Sequence, residues 1–158
     1  MKKILFLGLL TFAALSCDKK DPEAEGTPME RLAGVEAKKW KLTKAVAWSG
    51  SLSLDLIANS ANKCLGDNEL TLRSNNSYVL EDTGVKCSTV DRIEDQWIFT
   101  ESPLQIQLAE ISLMDRTFKN VVLDISELKN SSFSGTVNNV PENSLKVNKI
   151  DLTFTLVK

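Results

Sequence analysis

The strongest constraint on the fold lies at the end of the chain, in Val147 to Val157. There Ile150, Leu152, Phe154 and Leu156 alternate with Asp151, Thr153 and Thr155. Strict alternation lays apolar side chains on one face of an extended strand and polar ones on the other. The same period recurs through the chain. In KKWKLTKAVAW the even positions Trp40, Leu42, Val46 and Trp48 share a face, and Leu52, Leu54 and Leu56 repeat the pattern beyond Ser49-Gly50. Leu70 and Leu72 continue it, Ser74-Asn75-Asn76-Ser77 marks a turn, and Tyr78 and Leu80 read as the return arm of a hairpin. Further strand candidates are Ile93 to Phe99, with Trp97 and Phe99 in phase, then Leu104 to Leu108, Val121 to Ile125 and Phe133 to Val137. About eight or nine short strands with turns roughly every ten residues predict an antiparallel barrel or sandwich, not βαβ units.

Helix is expected in one place. Thr27-Pro28-Met29-Glu30 supplies an N-cap, a proline at the first helical position and a glutamate at the third, with Gly34 as the stop. Met29, Leu32, Ala33 and Val35 would give this short helix an apolar side to lay across one end of the strands. Ala109 to Lys119 leaves a further turn of helix open.

The first residues read as an address. Lys2 and Lys3 precede an apolar run from Ile4 to Leu15, the anatomy of a secretory signal peptide, and the run is shorter than the about 20 residues that cross a bilayer. Ala13-Ala14-Leu15-Ser16 leads into Cys17 and resembles a lipobox, which implies cleavage before Cys17 and acylation of its thiol. The expected division is therefore a signal peptide at 1–16, a lipidated Cys17 with a charged tether over 17–27, and one domain at 28–158. Asp18 to Gly26, DKKDPEAEG, has no large apolar residue with which to order itself. A short charged run after a lipidated cysteine resembles a surface-export signal in Bacteroidota-type bacteria, and it reads equally as an ordinary linker. Either way the expected location is the cell envelope, lipid-anchored to the outer membrane.

Charge and residue inventory exclude whole classes of chemistry. Without Lys2 and Lys3, the 19 basic residues fall to 17 against 21 acidic ones, a formal charge of −4, and no basic cluster suits a nucleic acid. The chain has no histidine. Ser-His-Asp and Cys-His catalysis, His-ligated zinc and axial-histidine haem are thereby excluded. Carboxylate pairs remain, but no motif selects two of the 21 acids, so no enzyme activity and no cofactor or metal is expected. Cys64 and Cys87 are the cysteines left once Cys17 is acylated, and a pair in an exported protein reads as a disulfide.

Taken together, several stretches resemble the lipocalin-like lipoprotein domain of Bacteroidota. They are LAG…KWKLTKA at Leu32 to Ala45, CLGDNELTL at Cys64 to Leu72, NNSY at Asn75 to Tyr78, EDTGVKC at Glu81 to Cys87, DQWIF at Asp95 to Phe99 and the closing DLTFTLVK. The resemblance implies an up-and-down antiparallel β-barrel of about eight strands, led in by a short helix. Lipocalins place a glycine two residues before the first-strand tryptophan; Lys38 holds that place here.

An eight-stranded barrel is either filled by side chains or just wide enough for one small ligand. Trp40, Trp48, Tyr78, Trp97 and Phe99 are the candidate lining of an apolar cavity, or else the packing of a solid core. The first case makes the protein a membrane-anchored binding module for a small hydrophobic ligand. The second makes it an envelope or cell-surface interaction protein acting through loops such as Ile57 to Lys63 and Asn138 to Leu145.

Overall fold

The computed structural model describes residues 25–87, 89–113, 116–138, 140 and 146–158. The signal segment, Cys17 and most of the tether lie outside the described residues, as does most of the stretch Asn138 to Leu145.

A short helix α1 (Pro28–Ala33) precedes nine strands: β1 (Ala37–Ser49), β2 (Leu52–Asp55), β3 (Glu69–Arg73), β4 (Ser77–Glu81), β5 (Arg92–Glu101), β6 (Leu104–Leu113), β7 (Arg116–Leu128), β8 (Ser132–Val137) and β9 (Lys149–Leu156). From β3 to β9 each strand pairs antiparallel with the next, and the long β1 closes the ring by pairing with β3 and β9. The result is an up-and-down barrel of eight strands. β2 is the ninth and stands outside the ring, paired only along Val46 to Ser49 of β1. Ala109 to Lys119 holds no turn of helix among its described residues and is strand on both sides of residues 114–115.

The helix forms as its sequence predicts. The Thr27 hydroxyl accepts from Glu30 N at 3.2 Å and the Glu30 carboxylate accepts from Thr27 N at 2.7 Å, a complete capping box. Those bonds, the backbone one first, hold the Glu30 carboxyl below the usual carboxylate value. Gly34 ends the helix at φ +67°, where a side chain would be strained. Leu32 and Ala33 are fully buried, and the helix lies across the end of the barrel where β1 begins and β7 ends; Val35, beyond the Gly34 stop and off the helix, does not join this apolar side and is 88% exposed.

The alternation predicted for β1 holds for half the strand. Its pairing with β9 runs Leu42↔Phe154 and then Lys44↔Thr153, so Thr43 is an extra residue that slips the register. A one-residue bulge inverts every side chain beyond it. Trp40 and Leu42 therefore face inward with Ala45 and Ala47, all of them buried, while Val46 and Trp48 turn to the outer face.

Two further irregularities shape the wall. The β5–β6 ladder stops at Trp97↔Leu108, and beyond it β5 pairs only with β4 and β6 only with β7. Tyr78 reaches across this split, its hydroxyl donating to Glu110 O and accepting from Glu110 N. On the other side, Gly135 permits close contact of β8 and β7: a Cβ there would sit 2.6 Å from Asp124 O and 2.8 Å from Leu123 Cγ.

Candidate functional site

The interior divides into two halves of different chemistry. Near α1 it is aromatic. Trp40 meets Phe133 edge-on at 4.9 Å, and Phe133 stacks on Phe154 at 4.7 Å. Several polar atoms of this end are paired with backbone: Trp40 Nε1 donates to Leu32 O at 2.8 Å, Trp97 Nε1 to Arg73 O at 3.1 Å and Arg31 Nη1 to Leu128 O at 3.0 Å, while the buried Arg31 Nε has no partner. Lys38 faces into this end and closes it. Its ammonium donates to Arg31 O at 2.9 Å and Asn130 O at 3.4 Å, and stands 5.7 Å from the Trp40 ring. Partial burial holds the Lys38 pKa below the usual lysine value.

The other half is aliphatic and incompletely filled. A cavity of about 160 Å³ lies there. Leu42 and Ala45 of β1, Leu70 of β3, Leu108 of β6, Val121 of β7 and Leu152 of β9 form its wall. Leu56 and Leu65, from the connection between β2 and β3, reach over it. That connection ends in a 3₁₀ helix, Ser60–Asp67, and its Leu65 is 2% exposed.

The covering segment is fastened to the β4–β5 loop. Cys64 and Cys87 form a disulfide with Cα atoms 5.3 Å apart. Alongside it, Thr83 Oγ1 donates to Asp67 O at 2.5 Å and Val85 N to Asp67 Oδ2 at 2.9 Å. Asp82, 7% exposed, accepts from Cys87 N at 2.7 Å and so fixes the cysteine's backbone. The bridge, read from the sequence as a bond of the exported compartment, is in the structure the clasp of the cavity's cover.

None of the five aromatic candidates lines this cavity. Trp40, Tyr78 and Trp97 are buried in the barrel, each with its polar atom bonded to backbone. Burial pushes the Tyr78 phenol up, against the opposing hydrogen bond to Glu110. Phe99 packs at 6.3 Å from Trp97. Trp48, on the outer face past the Thr43 bulge, donates to Asp151 Oδ2 at 2.7 Å beneath the Lys149 ammonium, 4.9 Å from its ring. The aromatic side chains that do border the space are Phe118 and Phe154.

Three polar residues border the cavity: Lys119 and Asn120, which are exposed, and Asn68, which is 6% exposed. Asn68 carries no sequence signal, since a single Asn between a cysteine-bearing loop and a strand is ordinary turn chemistry. Among the described residues the lining holds no carboxylate, and no three Asp, Glu, Cys or His side chains gather as metal ligands. No described helix is long and apolar enough to cross a membrane. The chain matches no protein-family model, and no curated protein matches it. Among the described residues the lining offers shape and apolar surface.

Proposed function

We propose that this protein is a lipid-anchored, lipocalin-like binding module of the cell envelope that holds a small apolar molecule in its barrel. The observation that carries the reading is the aliphatic cavity under the disulfide-clasped cover. Its volume, about 160 Å³, sets the size of the guest. Sites for drug-sized ligands occupy about 300–1,000 Å³, whereas an apolar cavity of about 150 Å³ stays dry and binds benzene. The guest is therefore a small hydrocarbon-like molecule, or the end of a longer one whose remainder projects past Lys119 and Asn120. Cys17 would be the lipid attachment point, with residues 17–27 as the tether; near the end of that stretch Glu25 O accepts from Asn130 Nδ2 at 3.3 Å, at the α1 end of the barrel.

Native mass spectrometry of the domain from Thr27 to Lys158, purified from its own envelope and then exposed to hydrophobic extracts, tests the binding role. A retained or added apolar ligand is expected; none under any condition would overturn it. Palmitate labelling of the whole protein, lost on Cys17→Ser, tests the anchor separately.

A second reading, an envelope interaction protein, draws on one feature. The free edge of β2 exposes Leu52 at 74% and Leu54 at 46%, apolar side chains on a strand with an unpaired side. Crosslinking in intact cells through a photoreactive residue at position 52 would capture a defined protein on this reading, and nothing on the first.

A further inference from the structure

The apolar face that encloses the cavity continues past its mouth. Leu56 N donates to Ala45 O at 2.7 Å and extends the β1–β2 ladder, whose pairs then run Val46↔Asp55, Ala47↔Leu54, Trp48↔Ser53 and Ser49↔Leu52 without a break. Side chains two residues apart on a strand share a face, and so do those of directly opposed partners. Ala45 and Leu56 line the cavity, so Ala47 with Leu54, and then Ser49 with Leu52, lie on the same inner face beyond it. On its other side Ala47 stands opposite Ile150 of β9, which is also a lining residue. From Leu56 to Leu52 the row runs about 13 Å at the rise of a strand. Along it the face passes from enclosed to open: Ala47 is 6% exposed, Leu54 46% and Leu52 74%.

We infer that the guest is a single unbranched alkyl chain longer than the cavity, its end in the enclosed space and its remainder laid along Leu54 and Leu52. The inference rests on the apolar-binding reading, takes its longer form and gives the projecting part a path. The enclosed volume of about 160 Å³ holds only part of such a chain. One row of apolar side chains leading out of the mouth gives a chain continuous contact, whereas a compact ring would end at the mouth. Covering Leu54 and Leu52 withdraws apolar surface of both partners from water. The row ends at Ser49-Gly50-Ser51, a hairpin tip without a charged side chain, so a head group carried there stands in solvent. Selection is by length of chain and not by head group.

The probes are toluene and the straight-chain alcohols hexanol, octanol, decanol and dodecanol, titrated into wild type and into a double variant, Leu52→Ser with Leu54→Ser, whose changed side chains are exposed. Affinity for wild type is expected to keep rising from octanol to dodecanol by about twofold per methylene, half the free energy of a fully buried one because one side of the chain stays in water. In the variant the rise is expected to stop, so that dodecanol loses about tenfold. Toluene and hexanol should bind the variant as before, which also shows that it is folded. In wild type, the NMR amide signals of Ser53 and Leu54 should shift with dodecanol and stay in place with hexanol, a readout that needs no variant. Decyl sulfate and decyltrimethylammonium should bind within about threefold of each other, their charges being screened in solvent. An equal slope in both proteins, β2 amides that ignore dodecanol, or a preference of about tenfold for one head group overturns this path for the guest and leaves apolar binding intact. Failure of toluene and every alcohol to bind wild type overturns the apolar-binding reading itself.

Discussion

The two ends of this barrel are built to different standards of completeness. At the α1 end, large rings interlock, and the tryptophan N–H groups and the Lys38 ammonium find backbone acceptors. At the other end small aliphatic side chains leave about 160 Å³ unfilled, and the cover is held by a covalent bond. Packing to native density is what gives a core its uniqueness and most of its stability. The contrast assigns stability to the first end and accommodation to the second. A disulfide suits the second end because it holds a cover in place without filling the space beneath it.

The largest effect should follow damage to the complete end. Trp40→Ala removes a fully buried ring, its contact with Phe133 and its bond to Leu32 O, and should destabilise by about 3–5 kcal/mol in urea denaturation. A loss under 1 kcal/mol would break the contrast at its root. Next comes the clasp. Replacing Cys64 and Cys87 by serine should cost about 3 kcal/mol on the chain-entropy model. Hydrogen exchange should then quicken over Ile57 to Asp67 and leave β1 near Trp40 protected; uniform quickening would mean that the bridge supports the whole barrel and not its cover.

A matched pair of enlargements tests the comparison directly. Ala33 and Ala45 are both buried, at 0% and 1% exposure, the first at the filled end and the second on the cavity wall. Ala33→Leu has no space to enter and should cost about 1–3 kcal/mol. Ala45→Leu should leave stability unchanged or raise it by up to about 1 kcal/mol, as cavity-filling changes do, and should abolish toluene binding. Equal destabilisation by the two would show the halves to be packed alike.

How much of this was legible in the sequence depends on how local the cause is. The capping box at Thr27 and Glu30, the hairpin at Asn75 and Asn76 and the alternation in β9 are set by neighbours in the chain, and each stands where the pattern placed it. The Thr43 bulge was not legible. It arises where β1 must match β9, and nothing in KLTKA announces an extra residue, so the alternation predicts the wrong face for Val46 and Trp48. The aromatic candidates were chosen by size, yet large rings fill space; the residues that leave space are Ala45 and the Leu and Val of the wall, which look like ordinary core in any single strand.

The smallest expected effect lies outside the barrel, against the wall of the unfilled half. Asp151 sits on the outer face of β9, opposite Val46, and accepts from Thr136 Oγ1 at 2.8 Å and from Trp48 Nε1 at 2.7 Å, with Lys149 at 3.2 Å. Burial pushes its carboxyl up, but those three partners outweigh the burial and hold it below the ordinary value of 3.8. A carboxyl depressed in the folded state contributes stability that is fully present above its unfolded value and is lost as pH falls through the folded one. Asp151→Asn should therefore flatten the acid limb of the stability profile below 3.8 and change little near neutrality, with solvent screening keeping the effect small. The place of the change is the more telling part. Loss of the Asp151 bridge loosens the β1–β9 seam around Ala45 and Ala47, so hydrogen exchange in acid should rise there before it rises near Trp40. The reverse order would make the aromatic end the weaker of the two.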